Sequence, residues 1–398
     1  MYEYEEQVRK DMQKMITFLK NEVVLVAAVL LAVISMVFVT PDSEYIGYID
    51  FHTLGILFCL MAVMAGLQDV GLFREIAEGL LSRVHKLWQI VLILVMLCFV
   101  LSMLITNDVA LITFVPFTFI VLGMLGEDVQ KKLLIPVVVM QTIGANLGSM
   151  LTPIGNPQNL YLYGKSGLGL LGFLKVTLPY WLVSLVLLTG FCFFLGKRAT
   201  KTTDKEQGNA LAGFQTEADR THIVGKERVR CVLFLIIFVF CLLVVANVLD
   251  YRVVLAGVVL FLLLRERKIL GRIDYSLLLT FVGFFVFIGN MGRVPAFREL
   301  LQSVMEGNEV LTAVISSQVI SNVPAALLLS GFTENVEALI LGTNLGGLGT
   351  LIASMASLIS YKYIVKEERC SKGAYFGYFT VANIVFLILL VGMWVLVK

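Results

Sequence analysis

The residues able to do chemistry in this chain are few, and they lie inside long apolar stretches. The densest set is Gly144-Ala-Asn146-Leu-Gly148-Ser149-Met-Leu-Thr152-Pro153-Ile-Gly155-Asn156-Pro157-Gln158-Asn159. Pro153 and Pro157 cannot donate backbone N–H bonds, and they push the residues before them off helical dihedrals. A continuous helix is excluded here. The freed carbonyls and the side-chain oxygens of Asn146, Ser149, Thr152, Asn156 and Asn159 therefore need partners. An unwound cation or substrate site would supply them. A kink satisfied by neighbouring helices is the simpler alternative, although five hydrogen-bonding side chains beside two prolines exceed what a kink requires. The second half holds Gly342-Thr343-Asn344-Leu-Gly346-Gly347-Leu-Gly349-Thr350, followed by Ser354 and Ser357, with no proline. Glycines loosen the chain there, and close helix packing through small residues is an equal alternative.

Two polar tips, Thr106-Asn107-Asp108 and Ser321-Asn322, each separate a pair of apolar runs. A hydroxyl residue at such a tip can cap the second arm. The arm's N-terminus then carries about half a positive charge and suits an anion. Two such ends approaching from opposite sides would hold an anion without Lys or Arg, and neither tip contains one. The alternative is two merely capped turns. Asp108 is the only acidic residue deep between two apolar runs. An intramembrane carboxylate is costly and is a functional candidate by default. It could coordinate Na⁺, carry a proton, or cap the arm. Asn107, Asn322 and the loop Thr152–Asn159 are thus the candidate substrate site, with Asp108 sensing the coupling cation.

Other chemistry is excluded. His52, His85 and His222 fall at loops or ends, which argues against a histidine-based site. Six cysteines include no CxxC pair, and five lie in or beside apolar runs as small hydrophobes, which argues against a native disulfide or metal site. Gly164-Lys165-Ser166 resembles the end of a phosphate loop, but Asn159 stands where its first glycine should be. No paired Ser/His, facing Asp pair or zinc motif suggests an enzyme. Asp69 and Arg293 sit near helix ends and read as interfacial.

The elements that must position these residues follow from composition. Of 398 residues, 58% are hydrophobic and 15% charged. Soluble domains run at about 45–50% apolar and about 25% charged. The chain therefore reads as an all-α polytopic membrane protein in contact with lipid. A net charge of +2, spread through loops, gives no sign of nucleic-acid binding. Residues 1–22 mix acid and base and read as a cytosolic lead-in. Several apolar runs are too short to span alone, so each polar tip is expected to close a re-entrant hairpin, at 88–122 and 309–331. Broken helices are expected at 133–163 and 336–364. With nine full crossings and two hairpins, 25 of the 31 Lys/Arg fall on one side, taken as cytosolic. The N-terminus is then cytosolic and the C-terminus exterior, as in a bacterial-type plasma membrane.

The hydrophilic linker 197–230 divides two halves, 23–196 and 231–398. Phe73-Arg74-Glu75 recurs as Phe297-Arg298-Glu299, and Asn146-Leu147-Gly148 as Asn344-Leu345-Gly346. Thr152 and Ile154 match Thr350 and Ile352 in the same register. The order of elements repeats with opposite orientation. Inverted repeats with interrupted helices point to a secondary transporter. By position, Asn146, Gly148, Gly155, Asn156, Asn159, Asn344 and Gly346 join Asp108 as candidate cation-coupling residues.

Thr106-Asn-Asp-Val-Ala-Leu-Ile-Thr-Phe-Val-Pro116 resembles the Asn-Asp hairpin of the arsenite-permease and sodium/proton-antiporter branch of the ion transporter superfamily. Thr152-Pro-Ile-Gly-Asn-Pro-Gln-Asn159 is similar to a signature shared by divalent-anion/sodium symporters and citrate-transporter-like proteins. Ser321-Asn-Val-Pro324 adds a third match. The resemblance implies an elevator-type carrier, often a homodimer, coupled to Na⁺ or H⁺ without another cofactor. It further implies that Thr106, Asn107, Thr152, Pro153, Ser321, Asn322 and Thr350 bind substrate or Na⁺. Three departures matter: Asp108 replaces a hydroxyl, Gln158 replaces a proline, and the second half lacks a Thr-Pro-Pro-Asn match. They leave the carboxylate and the Na⁺ count open, with metalloid efflux or Na⁺/H⁺ antiport as the alternative.

Overall fold

The computed structural model describes residues 6, 12–13, 22–84, 86–200, 225–367 and 370–397. Most of the N-terminal segment and of the linker, together with His85 and His222, lie outside the described residues. The described residues form helices and no strand. In chain order the helices are α1 (Val23–Ser35), α2 (Tyr45–Tyr48), α3 (Phe51–Val70), α4 (Leu72–Leu81), α5 (Leu87–Ile105), α6 (Asn107–Met124) and α7 (Glu127–Ser149). They continue with α8 (Pro157–Ser166), α9 (Leu170–Thr200), α10 (Lys226–Val245), α11 (Tyr251–Arg265), α12 (Arg267–Leu270) and α13 (Tyr275–Gly292). The rest are α14 (Pro295–Met305), α15 (Glu309–Ile320), α16 (Asn322–Leu329), α17 (Val336–Gly346), α18 (Met355–Lys366) and α19 (Lys372–Val397).

Eight described helices are long and apolar enough to cross a membrane, and three shorter apolar helices accompany them. The chain is an all-α polytopic membrane protein. Helix ends follow local chemistry. Asp50, Asp274 and Asn335 accept first-turn N–H bonds from Thr53, Leu277 and Ala338. Glu127 and Asp128 place negative charge on the positive end of α7. Asp69 and Arg293 both form ion pairs. Asp69 pairs with Arg230 at 2.9 Å and Arg272 at 2.6 Å, and Arg293 pairs with Asp42 at 2.6 Å. The Arg293 guanidinium holds the Asp42 carboxyl below the usual carboxylate range.

One expectation needs correction. The arms of the first polar tip are not short: α5 has 19 residues and α6 has 18, and both rank among the eight helices of spanning length. An apolar run is bounded by polar side chains, whereas α6 already begins at Asn107 and takes in Asp108, two residues before the apolar run at Val109. Of the four arms flanking the two tips, only α15 and α16, with 12 and 8 residues, fall below a span.

The helices that carry the polar residues pack together. α5 lies against α6, α7 and α9, while α15 lies against α16 and α17. The two groups touch where α18 meets α6 and α7, and where α17 meets α8. Beside them, α3 packs on α10 and α11, and α1 packs on α13.

Candidate functional site

Each tip turns on one residue. Thr106 has φ 72° and ψ 154°, and Ser321 has φ 73° and ψ 155°. That region is almost reserved for glycine and costs on the order of 1–3 kcal/mol for other residues. Neither hydroxyl caps its following arm. The expected hydroxyl cap is therefore corrected: an N-cap side chain bonds from extended backbone with negative φ, and these residues have positive φ. The next residue acts instead. Asn107 Oδ1 accepts from the Asp108 N–H at 2.9 Å, and Asn322 Oδ1 accepts from the Val323 N–H at 3.0 Å.

The helix breaks also correspond. After α7, Thr152 is extended, Pro153–Gly155 form a 3₁₀ turn, and Asn156 is extended before Pro157 starts α8. A Cβ on Gly155 would stand 2.1 Å from the Ser149 carbonyl oxygen, so only glycine fits this fold-back. After α17, Gly349 takes φ 106°, and the extended Ser354 precedes α18. Asn156 and Ser354 thus occupy the same place in their breaks.

Each half's α-helical asparagine bonds to the other half's break. Asn146 Oδ1 accepts from Asn107 Nδ2 at 3.0 Å and from the Ser354 hydroxyl at 2.9 Å. Its Nδ2 donates to the Gly347 carbonyl at 3.2 Å. In return, Asn344 Oδ1 accepts from Asn156 Nδ2 at 3.3 Å, and Asn344 Nδ2 donates to Asn159 Oδ1 at 2.6 Å. Asn159 Nδ2 also holds the Ser149 and Thr152 carbonyls, each at 3.3 Å. The second tip joins through the Asn322 N–H, which donates to the Ala353 carbonyl at 2.9 Å. Asn107, Asn146, Asn156, Asn159, Asn322 and Asn344 are all buried.

Other candidates serve the hairpin stems. The Thr152 hydroxyl donates to the Met103 carbonyl, and the Thr350 hydroxyl donates to the Gln318 carbonyl at 3.2 Å. Met103 and Gln318 each stand three residues before their tip. A Cβ on Gly148 would lie 1.9 Å from the Phe99 carbonyl oxygen, and one on Gly346 would lie 2.5 Å from the Ser317 hydroxyl. Both glycines therefore seat a first arm against a broken helix. Thr350 is exposed and Pro153 is buried in its turn, and neither joins the asparagine cluster.

Several buried polar atoms have no hydrogen-bond partner among the described residues: Asp108 Oδ1, Asn156 Oδ1, Gln158 Nε2 and the Ser357 hydroxyl. Each such atom costs about 1–3 kcal/mol if left unmatched. The two oxygens suit a cation, while the amide N–H and the hydroxyl suit an anion or a polar solute. A cavity of about 430 Å³ reaches the second tip at Val323 and Pro324, with Met355 and Thr280 on its walls and Glu22, Asp274 and Lys362 also lining it.

Two glutamines were not singled out from the sequence. Gln318 Nε2 donates to the Gly346 and Leu348 carbonyls, and its Oε1 accepts from the Thr350 N–H. Gln141 Nε2 bonds the Leu94 carbonyl at 3.0 Å and the Thr118 hydroxyl at 2.8 Å, tying α7 to both first-hairpin arms. The available signal was an amide inside an apolar run.

Comparison with known proteins agrees with this architecture. The chain is 33% identical to inner membrane protein YbiR of Escherichia coli K12 over 320 residues, covering 79% of this chain and 80% of that protein. It is 31% identical to the uncharacterized transporter MJ0456 of Methanocaldococcus jannaschii over 324 residues, or 80% and 82% of the two chains. A shorter match, 33% over 155 residues, links 38% of the chain to 30% of the silicon efflux transporter LSI3 of Oryza sativa subsp. japonica. Residues 15–337 match the citrate transporter family, and with apolar helices broken around a buried asparagine cluster, this chain belongs to that family (CitMHS).

Proposed function

We propose that this protein is a secondary active transporter of a small anion, a carboxylate or an oxyanion, driven by Na⁺ or H⁺. The observation that carries the reading is the reciprocal exchange at Asn146 and Asn344, which gathers the first tip and both helix breaks into one buried polar cluster. Asn107 and Asn322, with the first turns of α6 and α16, bind the anion, supported by Thr106, Ser321 and the loop from Thr152. Asp108, Asn156 and the carbonyls beside Asn159 hold the coupling cation. The matching tips and breaks favour two inverted repeats, 23–196 and 231–398, moving by an elevator-type alternating access. A first tip buried against Asn146 favours a hairpin over two spans, because a loop between spans would reach water at the membrane surface. The charge bias favours a cytosolic N-terminus and an exterior C-terminus in a bacterial-type plasma membrane.

The test is reconstitution into liposomes with imposed Na⁺ or H⁺ gradients and a panel of carboxylates and oxyanions. Uptake against the substrate gradient is expected. The double substitution Asn107→Ala, Asn322→Ala should lower it at least tenfold, and undiminished uptake would overturn the site assignment. A second reading, metalloid efflux or Na⁺/H⁺ antiport, is favoured by the partial match to a silicon efflux transporter and by the unpartnered Asp108 oxygen. Rescue of an arsenite- or Na⁺-sensitive host, without anion uptake in liposomes, would select it.

A further inference from the structure

Helices α3 and α10 pack closely and antiparallel, in one register along their length. At one end Arg230 donates to Asp69 at 2.9 Å. Next, the Phe234 ring seats on Gly66, where a Cβ would stand 2.3 Å from the ring. Seven residues further along each helix, in opposite directions, come Cys59 and Cys241. Beyond them, Gly55 and Val244 line the same small cavity. Gly55, Cys59, Ala62 and Gly66 form a buried stripe on α3 at helical spacing. Small residues at that spacing let two helix backbones approach closely.

The two cysteines meet within this close contact. They are 3% and 1% exposed, and both are free thiols. Both side chains line one small cavity on the seam between α3 and α10. A cavity of about 10 Å³ lies at the pair, walled also by Ile56, Tyr251 and Val254. A disulfide needs Cα atoms about 4.4–6.8 Å apart and facing Cβ vectors, and a glycine-lined antiparallel helix pair supplies that kind of approach. There is also a route to the site. An apolar groove of about 760 Å³ between α3 and α11 shares the Gly55 and Tyr251 walls. Its rim includes the exposed Phe51, Leu260 and Leu263, so an apolar reagent in the bilayer can approach the pair.

The geometry points to Cys59 and Cys241 as a dithiol modification site, which a membrane-permeant two-electron oxidant converts to a disulfide joining the two halves of the chain. In that step each thiol gives up its proton, one sulfur–sulfur bond forms, and the oxidant takes up two electrons and two protons. With a diazenedicarboxamide, the N=N bond becomes the corresponding hydrazine. The site lies in helices away from the asparagine cluster and is independent of the transported solute.

The test uses the full chain in native membranes, with a protease site inserted between residues 201 and 224. The membranes are treated with the diazenedicarboxamide, remaining thiols are blocked, the chain is cut, and the fragments are run without reductant. Oxidation should make the two fragments migrate together, and reductant should part them. Cys59→Ser and Cys241→Ser should each abolish the joined band. In parallel, the uncut wild-type chain should lose the mass of two hydrogen atoms. Fragments that part after oxidation, or a joined band that survives either serine substitution, would overturn the proposal.

Discussion

Replacing Asn146 by alanine would remove hydrogen bonds to three elements at once: the first tip, the Gly347 carbonyl and Ser354. Side-chain hydrogen bonds between membrane helices average about 0.6 kcal/mol and reach about 1.7. Asn146→Ala should therefore destabilise the protein by roughly 2–4 kcal/mol, and Asn107→Ala by about 1. Thermal or denaturant unfolding in detergent measures both, and equal losses would contradict a hub at Asn146. The residue types of this cluster were legible in the sequence, because an amide stands out in an apolar run. Their pairing was not, since Ser354 lies 208 residues from Asn146 and only the assembled fold brings them together. The tip hydroxyls misled for a different reason. Thr106 and Ser321 adopt a backbone that residue type normally assigns to glycine, so their capping propensity has no N–H to act on.

Among the elements, the first arms and the broken helices depend on glycines at matched places but with unequal tolerance. A methyl group at Gly148 meets the Phe99 backbone carbonyl at 1.9 Å, whereas at Gly346 the nearest atom is the Ser317 hydroxyl at 2.5 Å. A backbone oxygen cannot rotate away and a hydroxyl can, which leaves Ser317 Cβ at 2.8 Å as the closest fixed atom at Gly346. Gly148→Ala should cost more than Gly346→Ala, with overpacking of about 1–3 kcal/mol in the first case. Yield of monodisperse protein and its thermal midpoint would show the order, and a more damaging Gly346→Ala would refute it. Prolines announced the first break plainly. The second was harder to read, because Gly346, Gly347 and Gly349 serve close packing and unwinding with the same residue type. The first hairpin's arms were misjudged because the second apolar run begins at Val109 while its helix begins at Asn107.

At the scale of the whole molecule, the 430 Å³ cavity gathers residues from several segments proposed to face the cytosol. Glu22 and Lys362 belong to segments assigned to the cytosol by charge, Asp274 adjoins another, and all three line that cavity. Leu277→Cys, placed in a background without other cysteines, should react with a membrane-impermeant maleimide from the cytosolic face. Labelling only from the exterior would reverse the proposed orientation. All-helical architecture and membrane residence were readable from composition. That Glu22, Asp274 and Lys362 line one cavity was not, because they are far apart in sequence. The reciprocal asparagine bonds also bear on how the protein is made. Asn146 lies 201 residues upstream of its Gly347 acceptor. At about 5–20 residues per second, that interval lasts roughly 10–40 s on the ribosome. Throughout it, the newly inserted first half holds an amide hub whose second-half partners do not yet exist. The insertion machinery must shelter or hydrate that hub, and the two halves complete their folding together.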